Sequence, residues 1–315
     1  MIPKTMSEKY ILLIVNPGAR AGNSDLSEAV EFLRRSGLSV RREFIEAPRQ
    51  ITELIERFGS EVDGVVLGGG DGTFNRAAEA LLKCGKPLGI LPMGTANDLA
   101  RTLGIPADLL SAAGIIVQGH TRRIDLGCVN DDVWFFNVAH IGLGTLVTRR
   151  LSEEKKRQWG KVSYLRTLLE AWRGARPFRV ELNCDGHRED FHSIEIAVGN
   201  GRSYGGGMTI ASEARIDDQM LHLFSLDPQS VFRLAALFPA LFTGNYGKQT
   251  KVRFRSGREI TVRTVKPLKV VADGEERTLT PARFTIRHKA LSVFVPADSK
   301  NQEGKDAANR SGTRP

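Results

Sequence analysis

Cysteine is scarce in this sequence: Cys84, Cys128 and Cys184 are the three in 315 residues. An odd number with no C-x-x-C spacing excludes a disulfide scaffold and a structural zinc site, and it points to a reducing cytoplasm. The six histidines, scattered from His120 to His288, form no H-E-x-x-H metal motif. Long apolar runs are missing too. The longest, residues 231–242, is broken by Arg233 and Pro239 and falls short of the ~20 residues a bilayer span needs. A secretory signal is not visible, because residues 1–9 are polar and the apolar stretch at 11–15 is only strand-length. Positive charge, in contrast, is plentiful. A net charge of +9 and a pI near 9.6 favour acidic partners: nucleotides, nucleic acid or an anionic membrane surface.

The most informative stretch runs from Val65 to Asn75, V-V-L-G-G-G-D-G-T-F-N. Val65, Val66 and Leu67 read as a buried parallel strand entering a glycine turn. Phe74, Ala77, Ala78 and Leu81 recur at i, i+3, i+4, i+7, so the spacing predicts a helix starting near Thr73. Strand, turn and helix N-terminus together make an anion site, where backbone N–H groups and the helix dipole face a phosphate. Side chains on Gly68, Gly69, Gly70 and Gly72 would keep a phosphate off that backbone. Asp71 beside phosphates requires a divalent cation between them, a combination that suggests phosphoryl transfer. The other reading is a plain glycine-rich turn with Asp71 as a helix cap.

Strands at residues 10–15, 38–45, 65–67 and 87–91 alternate with helices, which predicts an open parallel α/β sheet with helices on both faces. Leu26, Ala29, Val30 and Leu33 mark the first helix; Ile51, Leu54, Ile55 and Phe58 mark the second. Three glycine-bearing loops fall at the carboxyl ends of the strands, where such sheets bind ligands: after Val15, after Leu67, and Pro92 to Asp98. A helix at 107–118 closes this half. Beyond it the pattern turns β-rich at 122–137 and 178–198, with a helical patch at 152–172 between them. Further strands are expected at 220–226, 251–255, 259–265, 269–271, 284–288 and 291–295. The expected division is an α/β nucleotide-binding domain at 1–121, an antiparallel β-sandwich domain at 122–296, and a disordered polar tail at 297–315.

Eight collinear markers carry a family resemblance: Asn16-Pro17, Gly69-Gly70-Asp71-Gly72-Thr73, Gly94-Thr95-Ala96-Asn97-Asp98, Phe136-Asn137, Gly199-Asn200-Gly201, Tyr204-Gly205-Gly206-Gly207, Asp217-Asp218 and Asp273-Gly274-Glu275. On these the chain resembles the catalytic domain of the diacylglycerol kinase superfamily, especially its soluble bacterial lipid kinases, related to the sphingosine kinases. The resemblance implies ATP as donor, Mg2+, and a lipid acceptor presented at an anionic membrane surface, meeting in a cleft between the two domains. It implies that Gly69, Gly70, Asp71, Gly72, Thr73, Phe74 and Asn75 hold the ATP phosphates and that Thr95 contacts the nucleotide. Glu275 and Asp71 would be catalytic, Glu275 as the base for the lipid hydroxyl and Asp71 as organiser of magnesium and phosphates. Asp273 remains a rival for the base, and a hairpin turn remains the other reading of Asp273-Gly274. The carboxylate of Asp218, with the carbonyls of Arg215 and Met220, resembles the family's structural magnesium segment.

The sequence departs from the family at Arg76, where Glu is usual, at Ile45 in place of Thr, and at Gln219 and His222 in the magnesium segment. Basic residues between Arg149 and Arg176, interleaved with Trp159 and Trp172, and the 231–242 stretch are candidates for contact with the inner face of the membrane. Three other classes compete. Gly201-Arg202-Ser203-Tyr204-Gly205 matches G-x-S-x-G, but that motif needs a helix directly after the serine, and Gly206-Gly207 cannot start one. A specific nucleic-acid binder rests on charge alone. A soluble-substrate kinase of the NAD-kinase-like class shares the G-G-D-G loop and is the nearest rival.

Overall fold

Strand β1 (Lys9–Val15) is buried along nearly its whole length. It lies between β2 (Leu38–Phe44) and β3 (Gly64–Gly69), both parallel to it, in the registers Ile11↔Val40 and Leu13↔Val66. Strand β4 (Leu88–Pro92) adds to β3 in the register Leu67↔Ile90. Continuous apolar runs such as Ile11 to Val15 suit a parallel sheet, because helices cover both of its faces. The computed structural model describes residues 9–16, 23–145, 175–201, 203–205, 208–209, 214–229 and 252–297.

The helices of this first unit follow from their apolar spacing. In α1 (Asn23–Arg35) the stripe Leu26, Ala29, Val30 and Leu33 is buried as expected, and Gly37 at φ +85° ends it. Helix α2 (Gln50–Phe58) buries Ile51, Ile55 and Phe58. Helix α3 (Asp71–Cys84) begins at Asp71, two residues before the predicted start. Helix α4 (Asp98–Thr102) was not expected from the sequence, since five residues are too few to show a periodic stripe. Asp108 caps α5 (Leu109–Gln118) by accepting the Ser111 N–H at 2.8 Å, and Gly119 at φ +74° closes it.

The second unit is antiparallel. Its strands are β5 (Thr121–Val129), β6 (Val133–Phe135), β7 (Val138–Gly142), β8 (Phe178–Cys184), β9 (His187–Ser193), β10 (Glu195–Gly199), the short pair β11 (Ser203–Gly205) and β12 (Met208–Thr209), β13 (Leu221–Leu226), β14 (Val252–Gly257), β15 (Glu259–Thr264), β16 (Lys269–Ala272), β17 (Glu275–Leu279) and β18 (Ala282–Phe294). One sheet runs β14-β13-β10-β7-β16-β17; the other places β18, β15, β8 and β9 side by side, with β5 and β6 joined through β18. Inward residues of both sheets, among them Phe135, Leu182 and Phe284 from one and Ile141, Val198 and Leu223 from the other, share a single core. That is a β-sandwich.

Two findings differ from the sequence reading. The strands expected at 284–288 and 291–295 are one strand, β18, with a kink at Lys289 (φ +48°). The buried Asp125 carboxylate accepts the Lys289 N–H at 2.6 Å and faces His288 Nδ1 at 2.9 Å, which holds the kink within the strand. The units are also not continuous stretches. Residues 74–82 of α3 group with the second unit, and the chain from Ser292 groups with the first, where Val293 pairs with Leu88. The helical patch at 152–172, its flanking basic residues from 149 to 173, the 231–242 stretch and the tail from 298 lie outside the described residues. No helix among the described residues is long and apolar enough to cross a membrane.

Candidate functional site

The three loops at the carboxyl ends of β1, β3 and β4 come together in the first unit. Asn16 N–H donates to the Gly68 carbonyl at 2.9 Å, and Met93 N–H donates to the Gly69 carbonyl at 2.9 Å. Two of the four glycines, Gly69 and Gly70, are required by this packing, and a side chain at Gly68 would need the flexible Met93 side chain to shift. A Cβ on Gly68 would lie 2.9 Å from Met93 Sδ, one on Gly69 2.4 Å from Thr73 Oγ1, and one on Gly70 2.9 Å from Gly94 Cα. Gly72 is different: among the described residues a Cβ there meets nothing within 4 Å. Packing among the described residues therefore does not explain why position 72 lacks a side chain.

Asp71 opens α3. Its carboxylate accepts the N–H groups of Asp98 (3.1 Å) and Leu99 (3.0 Å), at the start of α4, and so ties the Thr95 loop to the glycine turn. Within that loop Asn97, in the left-handed region at φ +51°, accepts the Gly94 N–H at 2.8 Å. Thr95 itself is exposed, and Gly70, Asp71 and Gly72 are half-buried. Thr73 and Phe74 are buried, the latter completely, so Phe74 can offer a ligand its backbone but not its ring.

The second unit gathers Asn75, Arg76, Asp273, Glu275 and Arg277. Asp273 and Gly274, at φ +43° and +90°, form the two-residue turn between β16 and β17, as the hairpin reading had it. The Asp273 carboxylate is fully engaged. It accepts the N–H groups of Phe136 (2.6 Å), Asn137 (3.0 Å) and Val138 (3.0 Å) and the Asn75 amide (3.1 Å). Burial pushes its carboxyl up, against the backbone hydrogen bonds from Phe136, Val138 and Asn137 and the Asn75 amide, which pull it down. Asn75 also donates to the Trp134 carbonyl at 2.9 Å and accepts from Arg277 Nη2 at 3.0 Å. Glu275 is held on both oxygens: Oε1 by Arg76 and Oε2 by Arg277, the latter at 2.7 Å.

Arg215, Asp218 and Met220 are also brought together. Asp218 accepts the N–H groups of Arg215 (2.9 Å) and Met220 (2.9 Å), and His222 Nε2 lies 3.0 Å from its Oδ2. Desolvation pushes the Asp218 carboxyl up, but the His222 bond and the two N–H groups outweigh it, and the group lies below its ordinary value. No group of three or more His, Cys, Asp or Glu able to hold a metal occurs among the described residues.

The remaining motifs resolve into structure. Ser203 lies on β11, with no helix through Gly205. His222 pairs with Asp218 and Ser256, and His288 with Asp125. Asn200 donates to the carbonyls of Asp125 (2.8 Å) and Phe136 (3.1 Å). The sequence reading missed the Arg277 contact with Glu275 and the buried pair His140–Glu195, 2.9 Å apart on β7 and β10. A charged residue on an otherwise apolar strand, as in E-I-A-V-G, was the signal available for Glu195.

Comparison with known proteins agrees with this architecture. Residues 10–129 match the diacylglycerol kinase catalytic domain, and residues 137–295 match the YegS C-terminal NAD kinase beta sandwich-like domain. The chain is 35% identical over 292 residues to a Klebsiella pneumoniae protein named "Probable lipid kinase YegS-like", covering 91% of this chain and 96% of that one. A Pseudomonas aeruginosa protein of the same name is 34% identical over 300 residues, with 93% and 97% covered. The crystal structure of a candidate diacylglycerol kinase from Bacillus anthracis superposes with a TM-score of 0.80 at 25% identity, over 94% of this chain and 98% of that one. The chain thus belongs to the diacylglycerol kinase family, in the branch of the YegS-like probable lipid kinases.

Proposed function

We propose that this protein transfers the γ-phosphate of ATP, with Mg2+, to the hydroxyl of a lipid such as diacylglycerol or a related lipid alcohol. The space over Gly72, open among the described residues, carries the reading, because a phosphate lying on the first turn of α3 explains a glycine that packing among those residues does not. Gly69, Gly70, Asp71, Gly72, Thr73, Phe74 and Asn75 line the phosphate site, where the helix dipole and the N–H groups of the turn that the chain does not itself use face the phosphates, and exposed Thr95 contacts the nucleotide. Glu275 takes the proton of the lipid hydroxyl as that oxygen bonds the γ-phosphorus. The bond to the β–γ bridging oxygen breaks, and ADP and the phosphorylated lipid leave. Asp273 is set aside as the base because its carboxylate already accepts four hydrogen bonds.

Magnesium, when bound, neutralises phosphate charge, and Asp71 organises that charge at the helix start. The Asp218 segment fits a structural magnesium held chiefly by carbonyls and water. Its carboxyl lies below the usual range, so it is anionic at neutral pH, and Oδ1 carries a single N–H bond, from Met220. Asp218 and the carbonyls of Arg215 and Met220 would be its ligands. The net charge of +9 brings the protein to the anionic inner face of the membrane, where each basic side chain near the surface contributes about 1 kcal/mol.

The direct test incubates the full chain with magnesium and γ-labelled ATP on a mixed lipid extract and separates the products by thin-layer chromatography. A labelled lipid supports the reading. Label appearing only in a soluble acceptor such as NAD would replace it with a soluble-substrate kinase. Flotation with anionic vesicles at rising salt tests the membrane step: binding that weakens with salt supports it, and absence of binding at all salt concentrations removes it.

A further inference from the structure

Arg76 and Arg277 both hold the carboxylate that is the candidate base, and the two are anchored differently. Arg277 is fixed a second time, because its Nη2 donates to Asn75 Oδ1 at 3.0 Å. Asn75 is in turn fixed by the Trp134 carbonyl and Asp273. Arg76 has Glu275 as its one hydrogen-bonding partner among the described residues, and 41% of its side chain is exposed. With a guanidinium on each oxygen, the positions where a hydroxyl could dock on this carboxylate are occupied by N–H donors. The two guanidiniums carry more N–H donors than one carboxylate accepts, which suits a further anion. Arg76 stands on α3 five residues beyond Asp71, about 7.5 Å along the helix axis. An extended arginine side chain spans that distance, and the planar guanidinium fork matches phosphate better than it matches one carboxylate oxygen.

We propose that Arg76 is a positioning residue that exchanges partners: it holds Glu275 while the nucleotide is absent and moves to the donor's phosphates when the nucleotide arrives. Arg277 keeps Glu275 oriented throughout. The base is released only once the donor is bound, which limits proton abstraction in its absence. This rests on the reading of Glu275 and the glycine turn given above.

The test uses the full chain with the magnesium complex of the β,γ-imido analogue of ATP, and two readouts. Calorimetric titration gives nucleotide affinity for the parent, Arg76→Ala and Arg76→Lys. Carbodiimide-driven amine labelling, read by mass spectrometry, gives the reactivity of Glu275 with and without the analogue. Arg76→Ala is expected to weaken binding about tenfold, the value of one charge-assisted hydrogen bond, and Arg76→Lys to restore part of it. In the parent the analogue raises labelling at Glu275; in Arg76→Ala labelling is high from the start and indifferent to the analogue. Unchanged affinity in a folded Arg76→Ala, or Glu275 labelling that ignores the analogue in the parent, overturns the exchange. Either result leaves the kinase reading standing, provided the parent phosphorylates lipid; a parent that phosphorylates none removes that reading instead.

Discussion

Two carboxylates separated by one glycine, Asp273 and Glu275, are expected to fail in opposite ways when neutralised. In Asp273→Asn one carboxylate oxygen becomes an NH2 group facing N–H donors. Oδ1 takes two of the four bonds and Oδ2 the other two, so at least two buried bonds are lost whichever oxygen is replaced. A buried group left without its partner costs about 1–3 kcal/mol, which gives roughly 2–6 kcal/mol for the pair. For a unit of this size that corresponds to a fall in Tm of about 5–15 °C. Glu275→Gln loses two ion pairs whose side chains are 25–41% exposed, and exposed pairs contribute about 0–1 kcal/mol each, a shift of a few degrees at most. Its turnover, however, should fall by about 10²–10⁴-fold if it is the base. Calorimetry and labelled-ATP turnover on the same preparations separate the two. An Asp273→Asn protein that melts like the parent but is inactive, beside an active Glu275→Gln, would make Asp273 the base and refute the assignment.

Gly72→Ala should leave stability unchanged or raise it by up to about 1 kcal/mol, as a helix alanine does, yet weaken nucleotide binding tenfold or more; normal binding would remove the observation that carries the phosphate site. Gly70→Ala should instead destabilise by about 1–3 kcal/mol, because its Cβ meets the Gly94 backbone at 2.9 Å. The Asp218 carboxyl lies below its ordinary value of 3.8, so its contribution is present above that value and is lost as pH falls through the lower folded-state value. Urea unfolding from about pH 6 to about pH 3 should therefore show a shallower acid-side loss in Asp218→Asn than in the parent. Burial pushes the Cys128 thiol up to about 11 and raises Cys184, whereas Cys84 is half-buried. A thiol reagent near neutral pH should thus label Cys84 first and the other two on unfolding; early labelling of Cys128 would show that its surroundings open in the native state.

Local pattern made much of the first unit legible. The stripe Leu26, Ala29, Val30 and Leu33 and the run from Ile11 to Val15 carry their burial in their spacing, because a helix or a parallel strand leaves such residues no other place to go. The glycine turn was legible for the same reason, since strand, glycines and helix are contiguous in sequence. Short α4 and the kinked β18 were not, as each depends on a carboxylate from elsewhere: Asp71 for the start of α4, Asp125 for the bend at Lys289.

What the sequence by itself determined is the order of elements and the chemistry stored in each loop. Only the tertiary structure decided which acid is engaged and which is held at its tip. Phe136-Asn137, Asn200 and Asp273 look like separate markers along the chain. In three dimensions they serve one network that closes the β16–β17 turn, with Asp273 at its centre. Arg76 and Glu275, 199 residues apart, meet for a reason no local pattern can show. Side-chain pairing depends on where the backbone brings two distant charges, and that is set by the packing of whole sheets.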